Sequence, residues 1–203
     1  MLKLDDNFCV LSRGEQVARM VDYATELTQH RATPEPSFIP DFMTEVARHY
    51  TWQSPETLMG SELKYNRMVQ NVIESLLVQD ADRAATVMLG MMKNSQTDAK
   101  VRRLALGGLH MLATPNLQVE LSDATTYELA ETLAEVVLSH PHDKALTRGC
   151  LTTATELLEQ GKVGYVERFA EAANDSLMEP ETAVAAQCLK TACHRMSRRL
   201  ELN

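Results

Sequence analysis

The sequence predicts an all-α fold, and three observations carry that expectation. The chain has 203 residues with only 5% aromatics, and Ala, Leu, Thr and Met are plentiful while β-branched and aromatic runs are scarce. That balance favours helix over sheet. Apolar residues recur at helical spacing, as at Val17, Met20, Val21, Ala24 and Leu27. No stretch sustains the alternation of a half-buried strand.

The elements follow in order. Residues 1–13 read as irregular, and the periodic run over 14–31 as the first helix. "ATPEPSFIP", residues 32–40, holds three prolines and must interrupt the helices. A second helix over 41–50 places Phe42, Val46 and Tyr50 four apart, before a break around Pro55 and Gly60. From Glu62 the pattern lengthens through Leu63, Met68, Val72, Ile73, Leu76 and Leu77. It continues into 80–94 with Asp80 or Asp82 as either a kink or a cap. "SQTDAK" opens a helix with N-cap chemistry that Pro115 closes, and Ser122–Asp123 opens another that Pro141 closes. Further helices run from His142 to Gly161, from Gly164 towards Pro180, and from Glu181 onward. The expected organisation is an N-terminal helical segment over 1–60 and a region of stacked helix pairs over 61–203, within one continuous domain.

One short phrase returns three times: "GGLHML" at 107–112, "GCLTTA" at 149–154 and "QCLKTA" at 187–192, spaced 42 and then 38 residues apart. With Gly107, Gly149 and Gln187 aligned, Leu109, Leu151 and Leu189 form an invariant column. Leu104, Leu146 and Val184 stand three residues before the reference, and Gly108, Cys150 and Cys188 one residue after it. These columns share one helical face, with the small residues suited to close approach of backbones. The spacing resembles the helix-pair repeats of HEAT and armadillo proteins. The resemblance covers about residues 80–203 and implies antiparallel helix pairs stacked as a short solenoid. An irregular helical bundle is the alternative.

Charge sorts by helix. The first helices of the pairs, over 79–94, 120–139 and 162–178, hold ten acids and four bases, while the second, over 98–112, 142–158 and 180–199, hold nine bases and four acids. In a solenoid the second helices line one face, which places Lys100, Arg102, Arg103, Lys144, Arg148, Lys190 and Arg195 as candidate partner-binding residues. Basic residues spread over solvated turns give the same pattern. Met88, Met91 and Met92 form a stripe that suits either a core or an adaptable binding surface.

The net charge is −8 and the pI about 5.3, which argues against general nucleic-acid binding. The N-terminus lacks a secretory pattern and no apolar run is long enough to span a bilayer, so a cytoplasmic location is expected. Cys9, Cys150, Cys188 and Cys193 show no zinc-ligand spacing and read as reduced thiols. His110, His142, Asp143 and Asp175 look superficially similar to the H…HD…D set of HD-type metal phosphohydrolases. Asp143, just past Pro141, reads better as a helix cap. No nucleotide-binding or hydrolase motif appears.

These readings favour a non-enzymatic interaction protein with no cofactor and no metal: an adaptor, scaffold or chaperone taking an acidic or amphipathic segment of another protein on a helical groove. No membrane partner is expected, and the pattern leaves room for a homo-oligomer. A nucleic-acid-binding helical repeat and a metal-dependent hydrolase are the alternatives.

Overall fold

Most helix starts follow from a polar side chain that caps free N–H groups. In the computed structural model, which describes residues 1–52, 60–114, 117, 119–140, 142–162, 164–167, 169–170 and 180–201 (side chains at 180–182, 185, 195–196 and 198–201 excepted), the fold is all-α. The helices are α1 (Arg13–Thr28), α2 (Phe38–Ala47), α3 (Ser61–Gln79), α4 (Ala81–Lys93), α5 (Ala99–Ala113), α6 (Asp123–Ser139), α7 (Lys144–Glu159) and α8 (Pro180–Glu201). Residues 164–167 and 169–170 are also helical. Ser12 and Glu15 form a reciprocal capping box on α1, and Asp98, Ser122 and Asp143 cap α5, α6 and α7. Asp80 settles the ambiguity between kink and cap. It has left the helical conformation, and its carboxylate accepts from the Arg83 N–H, so it caps α4. No helix among the described residues is long and apolar enough to cross a membrane.

Contacts divide the chain into two compact units, Met1–Met88 and Leu89–Asn203. The border expected near residue 60 falls inside the first unit, where α1 packs on α3. Thr28 Oγ1 lies 3.1 Å from Ser75 Oγ, and Gln79 Nε2 donates to the Ala32 carbonyl at 2.8 Å. Both pairs are 47 residues apart, so the two helices run parallel and in register. The core of this unit gathers much of the scarce aromatic content. Phe8, Tyr23, Phe38 and Phe42 are buried, with Phe38 and Phe42 stacked at 5.8 Å and Tyr23 edge-on to Phe38 at 5.4 Å.

Two expectations for this unit need correction. Residues 1–13 are more than an irregular tail. Phe8–Val10 forms a 3-10 turn, Leu2, Leu4 and Phe8 are buried, and Leu2 exchanges backbone hydrogen bonds with Thr33 and Glu35. The second helix begins at Phe38, not Asp41, because Pro40 sits in the first turn, where a missing N–H costs nothing.

In the second unit α7 packs against α5, α6 and α8. The column Leu109, Leu151 and Leu189 is buried throughout. The other columns hold for α5 and α7 only. Leu104, Leu146 and Cys150 are buried, whereas Val184 is 64% exposed and Cys188 is also exposed. The buried residues of α8 include Ala186, Leu189 and Cys193, and that face turns Val184 and Cys188 outward. Close approach also occurs one position away from where the columns place it. A Cβ on Gly149 would lie 2.6 Å from Leu106 Cδ2. Met88, Met91 and Met92 are all buried and belong to the core.

Candidate functional site

The site is built on the pairing of α5 with α7. Four contacts step along both helices together: Arg103 with Asp143, Leu106 with Gly149, His110 with Thr153, and the Ala113 carbonyl with Gln160. The helices are therefore parallel, and their N-terminal turns lie side by side. That brings five of the seven expected partner-binding residues to one end of the unit. Lys100, Lys144 and Arg148 are exposed, and Arg102 and Arg103 are half-buried. Lys190 is half-buried on α8, and the Arg195 side chain is outside the described residues.

The two inner arginines are fixed within the fold. Arg103 Nη2 donates to Asp143 Oδ1 at 2.8 Å, with the two side chains 34% and 21% exposed. Asp143 Oδ1 also accepts from the Leu146 N–H, so one carboxylate caps α7 and holds α5 against it. Burial works to raise the Asp143 carboxyl, but the Leu146 N–H, the Arg103 guanidinium and the Ala145 N–H together hold it below the ordinary carboxylate range. Arg102 Nη1 lies 2.8 Å from His140 Nε2. A guanidinium only donates, so Nε2 must accept, which places the imidazole proton on Nδ1 and keeps the ring neutral. Burial first, then the Arg102 charge, lowers the His140 pKa against an opposing pull from Asp143.

The residues of the metal reading do different jobs. His110 lies seven residues beyond Arg103, about 10 Å along α5, with Nδ1 3.4 Å from Thr153 Oγ1. Asp143 is committed to Arg103 and its cap, His142 is exposed, and Asp175 is outside the described residues. Among the described residues no group of three or more His, Cys, Asp or Glu side chains is placed to hold a metal ion. The Cys150 thiol is buried and pushed up by burial, and the Cys193 thiol is pushed up to about 11, again chiefly by burial. Neither is activated as a nucleophile.

Two features escaped the sequence reading. The Arg103–Asp143 and Arg102–His140 contacts join residues 40 and 38 apart, close to the repeat spacing, and that spacing was the available signal. The second feature lies in the first unit, where α1 and α3 flank a groove of about 610 Å³. Val21 and Val78 on its walls are 45% and 48% exposed, although Val21 fits the apolar stripe of α1.

Compared with family models, curated proteins and solved structures, the chain matches none of them.

Proposed function

We propose that the protein is a non-enzymatic, cytoplasmic interaction module, an adaptor or scaffold of helical-repeat type. It holds a segment of a partner protein on the helices α5, α7 and α8. The observation that supports this reading is the position of α7, packed against both α5 and α8, the helices that carry the other candidate bases. The repeat reading draws support from a shared device. Gln79 ties the end of α3 to the carbonyl of Ala32 after α1, and Gln160 ties the end of α7 to the carbonyl of Ala113 on α5, each at a separation of 47 residues. Free cysteines, with Cys9 and Cys188 exposed, suit a reducing compartment.

The test is capture of a partner from the native host by the tagged chain, compared with Arg148→Glu/Lys190→Glu. Arg103 is a poor choice for reversal, because a glutamate there would face the Asp143 carboxylate it now neutralises. Deleting residues 1–60 is equally poor, since it removes α1 from the face of α3. The reading predicts a partner that the wild type retains and the double variant loses at unchanged thermal stability. A partner held equally by both would move the site elsewhere. Nucleic acid recovered in place of a protein would favour the nucleic-acid alternative.

A further inference from the structure

The N-terminal edge of the α5/α7 pair is a charge concentration that the interaction-module reading does not use in full. Residues 98–103 and 142–148 hold five bases and two acids, a local balance of +3 in a chain whose net charge is −8. Both acids are used as helix caps, Asp143 half-buried and Asp98 exposed. Asp98 accepts from the Lys100 N–H, and Asp143 accepts from Leu146 and Arg103. The parallel helices α5 and α7 both bring N-terminal turns to this edge, while the C-terminal end of α6, where His140 meets Arg102, lies there too and opposes their dipoles. The far end of α7 carries Glu156 and Glu159, so the pair is polarised along its length.

We infer that this edge, centred on Lys100, Lys144 and Arg148 over the fixed guanidinium groups of Arg102 and Arg103, is a docking site for an acidic, Asp/Glu-rich segment of a partner protein. This rests on the interaction-module reading and narrows it. Two observations choose the acidic segment over other occupants. Among the described residues, none of the large apolar side chains that stand exposed lies on α5 or α7, so an amphipathic helix finds no anchor there. Neither helix carries Phe, Tyr or Trp, and His110 lies about 10 Å along α5 from Arg103, so nucleobases find no stacking platform at this edge. The acidic balance of the rest of the chain also repels a long phosphate backbone more than a short peptide confined to the edge.

The experiment measures binding of a fluorescently labelled oligoglutamate peptide by anisotropy at low and raised salt. A single-stranded oligothymidylate of equal charge serves as comparison. Three variants are used: Lys100→Glu/Lys144→Glu/Arg148→Glu, the milder Lys100→Gln/Lys144→Gln/Arg148→Gln, and, as a control of charge alone, Lys64→Glu on the exposed side of α3 in the other unit. Circular dichroism checks each fold, and the glutamine variant decides if the glutamate variant unfolds. The inference predicts salt-sensitive peptide binding, weakened about tenfold or more by the triple reversal and less by the glutamines. Lys64→Glu should leave it unchanged, and the oligonucleotide should bind more weakly. Absent peptide binding, or wild-type affinity in the folded triple variants, overturns the inference. Tighter oligonucleotide binding does so too. Equal weakening by Lys64→Glu would mean attraction to total charge and overturns the edge as the site, yet leaves the broader module reading standing, which partner capture tests separately.

Discussion

His140 links three helices through one protonation state. It follows the last turn of α6, its ring meets Arg102 of α5, and its carbonyl accepts from Thr147 Oγ1 of α7. The groups that face its ring electrostatically are Arg102 and Asp143. The neutral ring is the form the fold needs, and burial, with the Arg102 charge, lowers its pKa below the ordinary histidine range. The unfolded chain therefore binds a proton at a pH where the folded chain does not, so stability falls as pH drops through about 6.5 and levels off below the folded pKa. His140→Asn keeps an acceptor for Arg102 without titrating. Thermal melts at pH 7.5 and pH 5 should show the wild type losing more stability than the variant, with an equal loss in both sinking the assignment. The neighbouring Asp143 has a depressed carboxyl pKa, so its contribution is present at neutral pH and lost at more acid pH than that of His140.

The α5/α7 pair makes two contrasting glycine predictions. Gly149 faces Leu106 with no room for a methyl group, while Gly107 has nothing within 4 Å of an added Cβ. Gly107→Ala should stabilise by about 0.5–1 kcal/mol through backbone entropy. Gly149→Ala should lose that gain, because Leu106 is buried and must shift. Chemical denaturation of the two variants reads the difference, and equal stabilisation would break the packing account. Leu109, Leu151 and Leu189 should each cost about 2–5 kcal/mol on replacement by alanine. A near-zero effect at any one would remove it from the shared column. The contrast between caps and columns explains what was legible in the sequence. The caps at Asp98, Ser122 and Asp143 were readable because a cap is satisfied within a few residues. The start of α2 was misplaced because Pro40 breaks a helix interior but not a first turn. The exposure of Val184 was not readable at all, since periodicity gives a face but not the neighbour that covers it.

For the chain as a whole, charge and periodicity together gave the all-helical class and the candidate bases, but not their grouping. The grouping needed the parallel register of α5 and α7, which arises from contacts between residues about forty apart, such as Arg103 with Asp143. The same register shows why two of the expected binding residues, Arg102 and Arg103, are held by His140 and Asp143 as a foundation for the surface. The α1/α3 groove belongs to the other unit, and there Val21 and Val78 offer apolar contact in place of charge. Truncation after residue 160 should lower stability, because it uncovers the side of α7 that packs against α8, and a melt unchanged from the full chain would contradict that packing. The most direct test of the account is hydrogen exchange of the intact chain with and without the partner it captures. The account predicts slowed exchange concentrated over residues 98–103 and 142–148. Slowed exchange confined to the helices that carry Val21 and Val78 would contradict it.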